Sequence, residues 1–207
     1  VMTDGRGVCH TDALASAAAS HSAIAFFSNS FRLGTGAAGS APSPAPPASG
    51  TGQHVVHFAA ALPALGWQPS DADAAMLPVI RTRLRAAGLR NIDEPLRLDV
   101  HTDPWPAAGP FAALVCINMI HIAPATATRA LLGGAARVLA PGGLLYLYGP
   151  FREGGRHTTP SNEAFDASLK ARDPAWGVRD LDAVDALAAQ IILENWFSLP
   201  DDEADTP

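Results

Sequence analysis

The chain alternates short apolar runs with helix-like segments over most of its length, and this alternation limits the folds it can adopt. Phe111–Ile117 is a nearly continuous apolar run, as in a strand buried on both faces. Residues 126–139 then repeat apolar side chains at helical spacing, and residues 144–148 form a second apolar run. This order and these lengths predict an α/β fold: a parallel sheet with helices on both faces.

The same alternation extends through the rest of the chain. Residues 53–62, 73–87 and 181–189 have the apolar spacing of helices, whereas residues 65–69 and 95–100 predict strands. Residues 191–199 are compatible with one more strand. The polar segment 150–180 reads as a long loop, and we expect a functional role for it because long loops in compact domains tend to be functional.

Composition divides the 207 residues into three parts. Residues 1–48 are rich in Ala, Ser, Gly and Pro and predict a segment of low order. Residues 49–199 hold the alternating pattern and predict one domain, and residues 200–207 form an acidic tail.

The charge balance argues against a nucleic-acid partner. Formal net charge is −6, and the loose set Arg81, Arg83 and Arg85 is interpreted as a solvated helix face. No apolar stretch reaches the roughly 18–20 residues that a membrane span needs, so no membrane partner is expected.

Cysteine and histidine usage gives two further expectations. The chain has two cysteines, Cys9 and Cys116, which predicts a reducing, cytoplasmic compartment rather than a disulfide-based fold. His54 and His57 could share a helix face, but no nearby Cys or carboxylate completes a set of ligands. We therefore expect no metal.

Polar or glycine-rich residues follow the predicted strands, where open α/β sheets bind their ligands. Gly50 and Gly52 form a turn that lets the backbone approach a ligand closely. Asp71 follows Gly52 at the separation at which an acid can bind ribose hydroxyls, and Asp99 could receive an adenine amino group. Each acid alone has a simpler interpretation as a helix cap or turn residue, but the ordered set favours a nucleoside site.

Several strings resemble, in order, a family of small methyltransferase-like proteins long catalogued as a domain of unknown function. They include Ala-Ser-Gly-Thr-Gly-Gln-His at 48–54, Ile-Asn-Met-Ile-His-Ile at 117–122 and Pro-Gly-Gly-Leu-Leu-Tyr-Leu-Tyr-Gly-Pro-Phe at 141–151. The resemblance implies a Rossmann-like class I methyltransferase fold that binds S-adenosylmethionine. It implies no particular methyl acceptor.

The resemblance also implies roles for individual residues. Gly50 and Gly52 would flank the methionine part of the cofactor, and Asp71 would bind the ribose. Asp99 with Val100 would contact the adenine, and Asn118 would form the floor beneath the sulfonium. The full cofactor set is Ser49, Gly50, Thr51, Gly52, His54, Asp71, Asp99, Val100 and Asn118.

The chain departs from the family pattern at both ends. Residues 43–47, Ser-Pro-Ala-Pro-Pro, stand where the family has an apolar strand, and Pro cannot donate to a central ladder. The first strand is therefore predicted to be disrupted, and so is the last, because the acidic tail replaces it. A shifted reading frame before residue 49 is one hypothesis for this change.

Candidate catalytic and acceptor-binding residues lie after the later strands. His121 and Asp166 could each remove a proton from the acceptor, although His121 is equally interpretable as a core histidine bonded to backbone. The candidate substrate contacts are Tyr148, Arg152, Asn162 and Trp176.

Three functions remain open at this stage. The first is a methyltransferase acting on a small molecule or an unidentified protein. The second is a nicotinamide oxidoreductase, although Val55 stands where that fingerprint has its third glycine. The third is a non-catalytic or damaged binding module, which the disrupted first strand favours.

Overall fold

The computed structural model describes residues 51–107 and 109–197, together with the backbone of Ala23–Ser28. The strands are β1 (Ala23–Ser28), β2 (Gly66–Asp71), β3 (Leu96–Arg97), β4 (Phe111–Ile117), β5 (Leu139–Tyr148), β6 (Arg152–Glu153) and β7 (Arg156–His157). The helices are α1 (Gln53–Ala61), α2 (Met76–Ala87), α3 (Thr126–Val138), α4 (Pro160–Arg172) and α5 (Leu181–Phe197). The predicted alternation of strands and helices is therefore confirmed.

The main sheet has the order β3-β2-β1-β4-β5, and its central strand runs against its neighbours. Ala25 of β1 pairs with Pro69 of β2 on one side and Val115 of β4 on the other, both antiparallel. The pairs β2–β3 and β4–β5 are parallel. The prediction of a wholly parallel sheet was wrong at this strand.

The identity of the central strand has a chemical explanation. Residues 23–28, Ala-Ile-Ala-Phe-Phe-Ser, contain no proline, so each residue can donate a backbone N–H to a ladder. An antiparallel strand satisfies the backbone groups of its neighbours as well as a parallel one. The Pro-rich residues 43–47, which the sequence placed at this position, lie outside the described residues.

Alternate residues of β4 bury their side chains in two separate apolar clusters. Leu114 and Cys116 belong to a cluster with Leu131 and Val138 of α3. Val115 and Ile117 belong to the other cluster, which includes Val55 of α1. Because successive side chains of a strand point to opposite faces, α1 and α3 cover opposite faces of the sheet. The prediction of helices on both faces is confirmed.

The C-terminal part differs from the prediction. Helix α5 continues to Phe197, so the suggested strand at 191–199 was wrong for the described residues. The segment 150–180 is not one loop, because it contains the β6–β7 hairpin and α4. No strand after β5 joins the main sheet between residues 149 and 197. The predicted loss of the last strand stays a prediction, because residues 198–207 lie outside the described residues.

The predicted boundaries at 48–49 and 199–200 stay predictions, because both lie outside the described residues. None of the helices in the described part of the chain is both long and apolar enough to cross a membrane.

Candidate active site at the carboxyl edge of the sheet

Strands β2 to β5 all end at one edge of the sheet. β2 and β4 are both antiparallel to β1, so they share a direction, and β3 and β5 run parallel to them. Asn91 Nδ2 joins the end of α1, at the Ala59 carbonyl (3.0 Å), to the start of β2, at the Leu65 carbonyl (2.9 Å). Helix α1 thus runs back along β2, and its N-terminus opens toward the carboxyl edge.

The N-terminus of α1 is capped by Gly52 in a left-handed conformation, with φ 81° and ψ 7°. A Cβ on this glycine would lie 3.4 Å from Ile80 Cγ2 of α2, so the turn and the helix packing both favour glycine. The Thr51 carbonyl accepts a hydrogen bond from Arg83 Nε at 2.7 Å. The predicted Ser49 and Gly50 lie outside the described residues.

Two further groups belong to this turn. The Thr51 hydroxyl is buried and has no hydrogen-bond partner in the described part of the chain. His54 stacks on Phe58, with 6.4 Å between the ring centroids. A buried hydroxyl of this kind fits a turn that is completed by a polar ligand.

Asp71 is the last residue of β2 and is buried at 8% exposure. Its Oδ1 accepts the Asp73 backbone N–H at 2.9 Å, which turns the chain toward α2. The carboxylate therefore lies at the strand end where the sequence predicted a ribose contact, and it also makes the simpler turn contact.

Asp99 and Val100 follow β3. Asp99 Oδ1 accepts the His101 backbone N–H at 3.0 Å and lies 3.1 Å from His101 Nδ1. The backbone bond from His101 holds the pKa of Asp99 below its usual value. Val100 is buried, and its carbonyl accepts the Trp105 indole N–H at 3.1 Å.

Asn118 follows β4 directly and adopts a left-handed conformation, with φ 59° and ψ −15°. Its backbone N–H donates to the Tyr148 carbonyl at 2.8 Å, which ties the ends of β4 and β5 together. A Cβ on Gly149 would lie 2.9 Å from Asn118 Oδ1 and 2.5 Å from His121 Nε2. Glycine at 149 thus lets the β5 end pass close to both side chains.

His121 is fully buried and packs edge-on against Phe151, with 5.1 Å between the centroids. Its Nδ1 accepts the Arg179 backbone N–H at 3.3 Å, and its carbonyl accepts the Gly177 N–H at 2.9 Å. Burial, followed by the nearby Arg179 charge, lowers the pKa of His121 to about 4. The imidazole is therefore neutral near pH 7.

Asp166 lies on the buried face of α4 at 4% exposure. Its Oδ2 accepts a hydrogen bond from Lys170 Nζ at 2.5 Å and lies 3.4 Å from His157 Nε2. Its Oδ1 accepts the Val178 N–H at 2.7 Å. Desolvation works to raise the pKa of Asp166, but the Lys170 and Val178 bonds hold it below its usual value. The carboxylate anchors α4 to the 177–179 segment.

The four predicted substrate contacts do not form one cluster of contacts. Asn162 Nδ2 donates to Thr158 Oγ1 at 2.8 Å within the start of α4. Trp176 carries the Arg172 guanidinium over its ring, 4.9 Å from the centroid. Tyr148 is half-buried against the α1 side of the sheet.

Arg152 adjoins the His121 segment through the main chain, because its N–H donates to the Arg179 carbonyl at 2.9 Å. The Arg179 side chain bonds to the carbonyls of Ile120 (2.8 Å) and Ala123. The sequence singled out Gly149 as a strand-end position and Arg179 as a residue of the segment expected to recognise the acceptor, but it missed Gly177. A glycine directly after an apolar run was the available signal for Gly149.

The rest of the described residues gives weaker candidates for a ligand site. A cavity of about 420 Å³ opens at the opposite edge, before β4, lined by Pro104, Trp105, Ala107, Gly109, Pro110, Arg137 and Val138. No group of three or more His, Cys, Asp or Glu side chains that could hold a metal occurs within the described residues.

Together, the βα order and the polar groups at the carboxyl edge define an α/β protein with a methyltransferase-like fold. Three solved structures share it. An O-methyltransferase family protein from Burkholderia thailandensis matches with a TM-score of 0.60 and 16% identity over 69% of this chain. The S-adenosylmethionine-dependent methyltransferase SibL in its apo form matches with a TM-score of 0.56 and 21% identity over 69% of this chain. The LepI complex with SAM matches with a TM-score of 0.54 and 14% identity over 69% of this chain.

Residues 47–201 match the model of the family described as a protein of unknown function (DUF938), and the chain belongs to this family. The predicted resemblance to a family catalogued as a domain of unknown function is thereby confirmed, and the solved structures support a methyltransferase-like fold. The chain spans less than half of each of the three solved structures, namely 43%, 41% and 35% of their lengths.

Proposed function

We propose that this chain is an S-adenosylmethionine-dependent methyltransferase domain whose acceptor is unidentified. One observation carries the proposal: the Gly52 turn, Asp71 and Asn118 all lie at the edge where β2 and β4 end. That edge is where open α/β sheets bind nucleotides. The solved structures titled as S-adenosylmethionine-dependent or in complex with SAM support the choice of ligand.

The residues present suit such a ligand. The left-handed Gly52 and the buried Thr51 hydroxyl would hold the methionine part, together with Ser49, Gly50 and His54. Asp71 would bind the ribose hydroxyls, and Asp99 with Val100 the adenine. Asn118 would lie beneath the sulfonium, since it is the first residue after β4.

When bound, S-adenosylmethionine supplies a methyl group activated by its sulfonium. The chain would contribute mainly binding and orientation, which can account for much of the rate of a displacement reaction. Tyr148, Arg152, Asn162 and Trp176 are the proposed contacts to the acceptor. His121 and Asp166 lie beside this region, and both are bonded to the 177–179 segment, which favours a positioning role over proton removal.

The first test is a calorimetric titration of the chain with S-adenosylhomocysteine, with NADH as the competing ligand. We expect saturable binding of the first ligand only. Asp71→Asn keeps the turn acceptor but removes the charge, and should weaken binding at least about tenfold. Asp93→Asn, on an exposed acid near the start of β2, is the matched control and should bind as the wild type does. Equal binding by Asp71→Asn would contradict the site, and no binding by a folded wild type would contradict the function.

A further inference from the structure

His121 joins two parts of the carboxyl edge that are distant in sequence. On one side, Asp166 holds the Val178 N–H, and the flanking Gly177 and Arg179 N–H groups donate to the His121 carbonyl and Nδ1. On the other side, the His121 N–H donates to the Asn118 carbonyl at 3.0 Å. One buried residue, through its ring and its backbone, therefore links the 177–179 segment to the end of β4.

The hydrogen bond from Arg179 determines the tautomer of this ring. A backbone N–H can only donate, so His121 Nδ1 must accept with its lone pair. In a neutral imidazole the proton then resides on Nε2. The lowered pKa of His121 keeps the ring neutral at pH 7, so this tautomer is the resting form.

The proton on Nε2 lacks a partner in the described part of the chain, although the atom is fully buried. A buried donor without an acceptor costs about 1–3 kcal/mol, so an acceptor is expected close by. Asn118 Oδ1 is the candidate, because it and His121 Nε2 flank the same point, where Gly149 has no Cβ. The two atoms lie 2.5 Å and 2.9 Å from that point, which makes them near neighbours.

We propose that His121 is a positioning residue, which donates its Nε2 proton to Asn118 Oδ1 and thereby fixes the orientation of the Asn118 carboxamide. With its oxygen held by His121, the carboxamide presents its NH₂ group to the ligand side, where it can donate to an oxygen or nitrogen lone pair. The inference rests on the proposed function, in which Asn118 forms the floor of the cofactor site.

This role differs from that of a general base. A base at His121 would need a free lone pair on a ring nitrogen that faces the acceptor. Nδ1 uses its lone pair for Arg179, and Nε2 carries the proton. The acceptor would therefore arrive with its nucleophilic lone pair already available.

The tautomer is tested directly by the ¹⁵N resonances of the His121 ring in the full chain at pH 7. We expect Nε2 to be protonated and Nδ1 to be unprotonated. A proton on Nδ1 would overturn the inference whether or not the chain binds a cofactor.

The positioning role is tested with two variants that both remove the titrating ring. His121→Gln places an amide nitrogen near the Nε2 position and keeps the donor. His121→Asn keeps an oxygen near Nδ1 for Arg179 but has no donor toward Asn118. We expect S-adenosylhomocysteine affinity to fall less than about threefold for Gln and at least about tenfold for Asn. A purely structural role would weaken both variants alike, and equal weakening would overturn the inference.

A second pair keeps the test decisive if His121→Asn does not fold. Gly149→Ala inserts a methyl group between His121 Nε2 and Asn118 Oδ1, and should also weaken binding about tenfold. Gly133→Ala is the control, because this glycine lies in helix α3 and its Cβ would meet only the end of the Arg137 side chain, at 3.7 Å. Equal affinity of the two variants would overturn the inference. If the wild-type chain itself fails to bind, the proposed function falls and the inference falls with it.

Discussion

The two sides of the carboxyl edge are held together in different ways. At the ends of β2 and β3, Asp71 and Asp99 each bond to a backbone N–H only two residues farther along. Beyond β4 and β5, Arg179 donates to His121 across 58 positions, and Asp166 accepts from Val178 across 12. Asp71 and Asp99 thus make turn contacts within two residues, whereas the bonds of His121 and Asp166 join distant segments of the chain.

We infer from this difference that the two sides have different roles in binding. A local turn places a carboxylate at a strand end without bonds to distant segments of the chain. Such an arrangement suits a site that is completed by a ligand. Long-range bonds fix side chains before any ligand arrives, which suits groups that must orient an acceptor. The following predictions order the expected effects on the two sides from largest to smallest.

The largest effect is expected on the side that contains His121, where lowering the pH should reduce the free energy of unfolding. The pKa of His121 is about 4 in the folded chain and about 6.5 when unfolded, so the unfolded chain takes up the proton first as the pH falls. The free energy of unfolding should therefore keep its full His121 contribution above pH 6.5 and fall by roughly 3 kcal/mol between pH 6.5 and pH 4. The charged neighbours Arg179 and Asp166 act on the ring in opposite directions.

Urea unfolding midpoints at pH 7, 5.5 and 4.5 would measure this loss. His121→Gln cannot titrate there and should remove most of the slope. Asp166, whose pKa is lowered, contributes separately and only below its ordinary value of 3.8. An unchanged slope in the variant would place the acid sensitivity elsewhere.

Asp166→Ala should be the next most disruptive change. It leaves the Val178 N–H without its acceptor and removes the partner of Lys170, whose side chain is about half exposed. We expect a loss of roughly 2 kcal/mol in the free energy of unfolding. Glu163→Ala, an exposed acid on the same helix, should cost under about 1 kcal/mol. Similar losses in both variants would show that the long-range bonds of Asp166 do not stabilise this side.

On the locally built side, Asp99→Asn should affect binding rather than stability. The Asp99 carboxylate is exposed, and the amide oxygen of the variant can still accept the hydrogen bond from the His101 N–H. The unfolding midpoint should therefore equal that of the wild type within error. S-adenosylhomocysteine affinity should fall about threefold, less than for the buried Asp71, since an exposed contact gains little from its charge. A drop in the melting temperature of several degrees would show that this side also depends on tertiary bonds.

The smallest effect is expected for the exposed ion pair between Arg81 and Glu94, in which Arg81 Nε lies 2.7 Å from Glu94 Oε2. Removing it with Arg81→Ala should change the free energy of unfolding by less than about 1 kcal/mol. Arg85→Ala on the same helix is the control for lost charge. A difference of 2 kcal/mol between them would give this pair a role in the fold.

Sequence periodicity located the elements whose burial is set by their own residues. The apolar run of β4 matched residue for residue, because a strand buried on both faces has no polar positions. Helix α4 was missed because its buried face includes the charged Asp166. Its start was visible in the sequence, since Thr159 caps the Asn162 N–H and Pro160 follows.

The strand ends were predictable because they follow from chain direction, but the bonds among them were not. Nothing in the residues around His121 indicates that Arg179 supplies the bond to its Nδ1, because that contact arises only when α4 folds back. The direction of β1 is equally beyond local sequence, since its pairing partners lie about 40 and 90 positions away.

The antiparallel β1 makes the sheet depend on a single strand. Without it, β2–β3 and β4–β5 are separate parallel pairs with no hydrogen bonds between them in the described sheet. During synthesis this strand emerges before β2 and β4, and it can pair fully only after both have been made. The sheet therefore closes only after β4 has been made, which makes folding slow and exposes unpaired edges on both halves until then.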